Sequence, residues 1–211
     1  NNLILAKLLL GTTYREVGDY DEAMDIYTPA LKQSEEIGDK RVMGHSLNNI
    51  GNVHYYKGDY DKALDYYERS LAIDEELGYK LGMGYSLNNI GNVHYSKRDY
   101  DKMFSHLQKA VNLQKEIGAL ELETITLFAL ANKNIGKEYD KDEILELIKK
   151  KEHKEDYLNY FLYQLLEDKS YLETAYKQIQ AKASAMEEEF SKKFLSYPIP
   201  KAIVEGWEKV K

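Results

Sequence analysis

The sequence predicts an all-α fold, a right-handed superhelical solenoid of about five antiparallel helix pairs closed by a C-terminal capping helix. Three observations carry that reading. The phrase Ser46–Tyr55, SLNNIGNVHY, recurs unchanged at Ser86–Tyr95, 40 residues on. Each copy is followed by an acidic-aromatic turn, Asp59-Tyr60-Asp61 and Asp99-Tyr100-Asp101, with a counterpart at Asp19-Tyr20-Asp21. Glycine closes the second helical stretch of each unit, at Gly38, Gly78 and Gly118. Recurrence at a period of this size marks stacked units that bury their apolar faces only against their neighbours.

The elements follow in order. Residues 3–17 read as a first helix with Leu3, Leu8, Leu10, Gly11, Tyr14 and Val17 as its buried stripe. Asp19 suits the N-cap of the next helix, and Asp21 and Glu22 suit the positive end of its dipole. That helix runs to about Glu36 and stops at Gly38, a residue that adopts the left-handed C-cap conformation without strain. Pro29 predicts a kink or local break inside it, because the ring removes a backbone hydrogen bond. The plan repeats over about Val42–Lys57 with Tyr60–Leu77, then over about Leu81–Lys97 with Tyr100–Ile117. The fourth unit is degenerate: Ala131 stands for Gly51 and Gly91, Asn134 stands for His54 and His94, and its second helix, about Lys141–Lys151, is short. A fifth pair is expected at about Asp156–Glu167 and Tyr171–Phe190. Tyr197-Pro198-Ile199-Pro200 predicts extended backbone that ends the preceding helix. Lys201–Lys211, with the only tryptophan at Trp207, then closes the exposed end of the array; docking onto another domain is the alternative for this helix. The expected organisation is an array over residues 1–151 (repeats at about 3–40, 41–80, 81–120 and 121–151), then a degenerate pair and capping helix over 152–211.

Composition narrows the function. Net charge is -7, from 29 basic against 36 acidic residues, which argues against a nucleic-acid or anionic-membrane surface. There is no cysteine, hence no disulfide framework and no thiolate chemistry, which fits a cytoplasmic setting. No apolar run approaches the roughly 20 residues that span a bilayer. The first residue is Asn rather than Met, so a fragment of a longer protein is expected. The 19 tyrosines suit rings that fill the space between helices.

Catalytic signatures are missing. His54 and His94 invite a metal reading, but helices in neighbouring repeats pack roughly 8–10 Å apart, too far for shared ligation near about 2 Å, so core histidines are expected. No Gly-Lys-Ser/Thr follows Gly51 or Gly82-Met83-Gly84, and no serine sits in a nucleophile motif. Capping explains the acidic pairs at the turns. The expectation is a non-enzyme without metal or cofactor.

The order of small and large residues resembles the tetratricopeptide repeat. Leu47, Ile50, Gly51 and His54 fit the first-helix positions, and Ala63, Tyr67 and Leu71 the second-helix positions. Leu87, Ile90, Gly91 and His94 repeat the pattern, with Met103 in place of the second-helix alanine; Leu10, Gly11, Tyr14, Ala23 and Tyr27 supply an earlier copy. The ordinary repeat of this family has about 34 residues; a 40-residue form adds about 1.5 helical turns. That longer form is similar to repeats of kinesin light chains, of spindle adaptors of the LGN type and of bacterial peptide-sensing regulators of the Rap type. The stretch from Phe194 through Trp207 resembles the C-terminal repeat region of larger bacterial signalling proteins.

The resemblance implies a non-catalytic scaffold that binds a peptide or protein segment in a concave groove lined by first helices. Its alternative is a regulatory segment of a larger bacterial signalling enzyme, acting through self-association. On the groove face helical spacing aligns His45, Asn48, Asn52 and Tyr55, and likewise Tyr85, Asn88, Asn92 and Tyr95, with Asn132 in the fourth repeat. An amide offers two donors and an acceptor, so it can bond an extended backbone without reading sequence. The competing role for the amides, assigned first to Asn49 and Asn89, is a ladder between neighbouring helices. The lysine and arginine clamp that chaperone-type members use on a C-terminal carboxylate is not expected, because asparagine, histidine and tyrosine hold those positions.

Overall fold

The structure, a computed structural model, describes residues 2–211, and every regular element among them is an α-helix. Contacts divide the chain into two compact units, one ending at Ala119 and the other running Leu120–Lys211.

The first unit holds three helix pairs: α1 (Asn2–Glu16) with α2 (Tyr20–Ile37), α3 (Lys40–Lys57) with α4 (Tyr60–Leu77), and α5 (Lys80–Ser96) with α6 (Tyr100–Glu116). Each helix packs on the next in sequence. The short turns work because both kinds of helix end are satisfied. Asp19, Asp39 and Asp99 accept hydrogen bonds from the backbone N–H of Glu22, Val42 and Lys102. Gly38, Gly58 and Gly78 close their helices with φ of 69°, 86° and 64°, a region that favours glycine. Close approach within each pair comes from a missing methyl. A Cβ on Gly11 would come within 2.5 Å of Tyr27, on Gly51 within 2.6 Å of Tyr67, and on Gly91 within 2.6 Å of Leu107. Met103 is fully buried in place of the alanine of the other repeats.

Two ion-pair rows run along the edges. Lys57 and Lys97, at first-helix C-termini, reach back 2.6 Å to Asp21 and Asp61 at the N-termini of the preceding second helices. Lys40 and Lys80 pair with Glu76 and Glu116. In the first row each charge lies at the helix end its dipole favours; in the second, lysines at N-termini and glutamates at C-termini oppose the dipole, and exposure keeps each pair weak.

Two expectations change here. In α1 the buried residues are Ile4, Leu8 and Gly11, while Leu3, Leu10 and Val17 are 66%, 51% and 51% exposed. The stripe is set by where Gly11 meets Tyr27, not by the count of leucines. And α2 continues through Pro29 without a break; the proline is exposed, so the position without an N–H lies on the solvent side.

The second unit contains α7 (Leu122–Asn134), α8 (Lys141–Lys150), α9 (Asp156–Leu166), α10 (Lys169–Ser184), α11 (Glu188–Ser196) and α12 (Pro198–Val210). Helix α7 packs on α8 and α9, α9 on α10, and α10 on α11 and α12. Lys133 holds the end of α9, donating to the carbonyls of Gln164 and Leu165 and to Glu167 at 2.7–3.2 Å. Asn159 and Gln178 both donate to the Lys154 carbonyl, and buried Asp156 pairs with Lys182 at 2.6 Å. The single helix expected over 171–190 is instead α10 and α11, broken at Ala185–Glu187. The expected extended stretch is confined to Tyr197 (φ -66°, ψ 152°), after which Pro198 opens α12. Proline is tolerated at the first helical position because its missing N–H has no intrahelical partner there. Ile203 is fully buried, and Trp207 stacks on Tyr176 with centroids 5.7 Å apart. The C-terminal helix thus packs on its own unit.

Candidate binding face

The first helices of successive repeats touch one another, α1 with α3 and α3 with α5, whereas among the described residues no comparable packing joins α2, α4 and α6. The first helices therefore stand closer to one another than the second helices do in this unit. Closer spacing on one side bends a stack toward that side.

Along α3 and α5 the aligned residues divide by accessibility. Tyr85 is 37% exposed, and His45, Asn48, Asn52 and Tyr95 are half-buried. Tyr55, Asn88 and Asn92 are buried. Asn132 lies in the second unit, also buried, with its Nδ2 donating 2.8 Å to the Phe128 carbonyl one turn back.

Several of these side chains are held by the repeats themselves. The Tyr67 hydroxyl donates to Asn52 Oδ1 at 2.8 Å, inside one repeat. Between repeats, Asn89 Nδ2 donates to Asn48 Oδ1 at 3.0 Å, and Asn48 Nδ2 donates to Ser86 Oγ at 3.2 Å. Asn48, Ser86 and Asn89 thus form a rung joining α3 to α5, the ladder role named above for the amides. Ser96 donates to the Tyr55 hydroxyl at 3.3 Å, also across repeats. His45 meets Tyr79 edge-on at 6.1 Å, and the Arg41 guanidinium lies over the same ring at 5.3 Å. Burial first, and Arg41 second, push the His45 imidazole below its ordinary value. Tyr95 tilts against Tyr100. The accessible part of the row is therefore a strip of aromatic and amide groups on pre-ordered rungs.

Behind the rung lie residues that the motif reading did not single out. Ser86 donates to Ser70 Oγ at 3.2 Å, and Ser70 donates to the Gly44 carbonyl at 2.9 Å. Asp74, buried and hydrogen-bonded to Ser86, completes the cluster. Its signal was in the 40-residue column, where Ser34 and Gln114 flank it.

The histidines do not gather. His54 stacks on Tyr66 and stands 3.3 Å from Asp59; His94 stacks on His106 at 5.3 Å. Burial, then the neighbouring His106, push His94 down. Among the described residues no group of three or more His, Asp or Glu could hold a metal ion, and no helix is long and apolar enough to cross a membrane.

Two family models, both described as tetratricopeptide repeat, match residues 3–76 and 85–117. No curated protein matches the sequence significantly. Among solved structures, the kinesin light chain nearly identical TPR-like repeats of Podosopora anserina superpose with a TM-score of 0.55 at 14% identity, covering 96% of this chain and 95% of that one. BtubC (BKLC) from P. vanneervenii gives 0.56 at 13% identity, covering 99% and 79%. At these identities the likeness is one of fold.

Proposed function

Because residues 3–76 and 85–117 are tetratricopeptide repeats, a fold that generally mediates protein–protein interaction, we propose that this chain is a non-catalytic scaffold binding a peptide or protein segment along its inner first helices. The observation that carries the reading is the inner strip itself. Tyr85, His45, Asn52 and Tyr95 keep accessible surface on first helices that touch across repeats. Tyrosine supplies contact area with a polar tip at low entropic cost, and half-buried amides supply backbone-directed hydrogen bonds. Asn48 serves from its rung, while Asn88, Asn92 and Tyr55 support the strip from below. Net charge of -7 favours a neutral or basic segment over an acidic one.

The test is photo-crosslinking in the source cell from position 85, with position 109 on α6 as the outer control. A protein captured from 85, not from 109, and lost on Tyr95→Ala with Asn52→Ala is expected. Equal capture from both positions, or capture untouched by the double substitution, sinks the groove reading.

The second reading, a self-associating regulatory segment of a larger bacterial signalling enzyme, draws support from the exposed Leu3, Leu9 and Leu10 of α1. It predicts a dimer by light scattering that Leu9→Glu with Leu10→Glu dissolves; a monomer at high concentration removes it.

A further inference from the structure

Asp74 sits near the end of α4 where the first and third repeats place Ser34 and Gln114, both neutral and fully buried. Its carboxyl group lies between two glycines of the flanking first helices. A Cβ on Gly82 would come within 2.6 Å of the Asp74 carboxyl carbon and of both its oxygens, and one on Gly44 within 3.4 Å of an oxygen. The residue is 6% exposed. The helices packed against α4 are α3 and α5. Their charged and titratable groups near this end are Lys40, Arg41 and His45 on α3 and Lys80 and Tyr85 on α5, with Glu75 and Glu76 on α4 itself. Lys40 pairs with Glu76, Lys80 with Glu116, and Arg41 lies over Tyr79. None of them offsets the charge of Asp74, whose ionisation is governed by burial and by the bond to Ser86.

The single Ser86 hydrogen has two acceptors, Ser70 and the Asp74 carboxylate, so the cluster has two exclusive states. A carbonyl only accepts, so the Ser70 hydrogen lies on the Gly44 oxygen. The Ser86–Ser70 bond must then use the Ser86 hydrogen. Ser86 has one hydrogen, and its lone pairs accept from Asn48; the bond that lowers Asp74 is Ser86 donating to the carboxylate, so with the hydrogen on Ser70 the Asp74 contact is kept only by a protonated carboxyl donating to Ser86. All four bonds are made together only when Asp74 carries a proton. Loss of that proton turns the Ser86 hydroxyl toward the carboxylate, empties the Ser86–Ser70 contact and reorients the oxygen that Asn48 donates to.

We propose that Asp74, Ser86 and Ser70 form a proton-dependent latch between the second and third repeats, which when protonated positions Asn48 and, through it, the Asn48–Asn89 rung of the inner face. Any effect on partner binding rests on the reading in the preceding section; the latch itself does not. Burial raises Asp74, against the lowering by Ser86, to about 6. A folded-state value raised above the unfolded one gives stability that is full at low pH and is lost as pH rises through that value. The folding equilibrium should fall by about tenfold between about pH 5 and 7.5 on account of this group.

The experiment uses the full chain, without a partner, so failure of the latch leaves the groove reading standing and the reverse. The Asn48 and Asn89 side-chain amide resonances are followed with pH in the wild type and in Asp74→Asn, whose amide keeps a donor toward Ser86. Expected is a single step with its midpoint near 6 in the wild type and none in the variant. Expected too is a wild-type-to-variant stability ratio that drops about tenfold over the same range. A step that survives in Asp74→Asn, or no step in the wild type, overturns the proposal. Ser86→Ala provides the second arm: the Asp74 carboxyl resonance still titrates there but Asn48 no longer follows, and an Asn48 that still follows also overturns it.

Discussion

A single hydrogen in place of a methyl group decides how near the two helices of a repeat can come. Gly51 lies against the ring of Tyr67, where an added Cβ would stand 2.6 and 2.7 Å from two ring carbons. The ring cannot slide away, because it is buried and its hydroxyl is bonded to Asn52. Gly51→Ala gains about 1 kcal/mol of helix propensity but overpacks the pair by about 1–3 kcal/mol. A net loss is expected, read as a lower urea midpoint with unchanged slope. Gly91→Ala meets Leu107, whose branched end has more rotamers available, and should cost less. Tyr67→Phe keeps the ring and removes the hydroxyl that bonds Asn52, for about 0.5–1.5 kcal/mol. An unchanged midpoint in Gly51→Ala would show that the ring yields and that close approach is not what this glycine secures.

At the level of elements, capping chemistry made the helix ends legible before any coordinates. Asp19, Asp39, Asp99 and Asp140 cap as their positions suggest, and glycines end α2, α3 and α4. Asp59 differs: no cap bond is made, and its carboxylate stands by His54 instead. In α1 leucine occupies so many positions that periodicity has no polar contrast to work against, so the sequence alone does not set its buried stripe. The register shows instead in the contact of Gly11 with Tyr27, which lies outside the local sequence. Leu8→Ala should therefore cost about 2–5 kcal/mol, while Leu10→Ala should stay within about 0.5 kcal/mol. Equal losses in denaturant unfolding would place both leucines in the core and restore the broader stripe. The candidate face was half legible for the same reason. The amide row follows from helical spacing, but the partners of Asn48 are 38 and 41 residues away, and only stacking of repeats brings them in. Which side chains of the row stay open therefore could not be read from one helix. Trp207 illustrates the reverse case, since an amphipathic terminal helix needs a covered face, and α10 provides it. Trp207→Ala should lower the melting temperature and Trp207→Phe should largely restore it; a melting temperature indifferent to both would mean that α12 contributes nothing to its unit.

Over the whole molecule two buried titrations oppose each other. Asp74 is raised, so its contribution is present at low pH and is lost as pH rises through about 6. His94 is lowered by burial and by His106, so its contribution is present above the ordinary histidine value and is lost as pH falls below it; His45, lowered by burial and Arg41, has the same sign. The windows overlap, because the raised carboxyl and the lowered imidazoles both change charge on the acid side of neutrality. The slopes partly cancel, so the wild-type melting temperature should vary less between about pH 5.5 and 7.5 than that of a variant lacking either side. Substituting one side of the balance should expose the other. His94→Gln removes part of the acid-side loss, so its stability should decline as pH rises toward neutrality, by up to about fourfold from Asp74 over this range, or about 2 °C for a chain of this size. Asp74→Asn should tilt the profile the opposite way, losing stability as pH falls. Thermal unfolding of the three proteins across that range decides the matter. A wild-type profile steeper than either variant's, or two variants tilting in the same direction, would mean that these groups do not set the pH response of the fold.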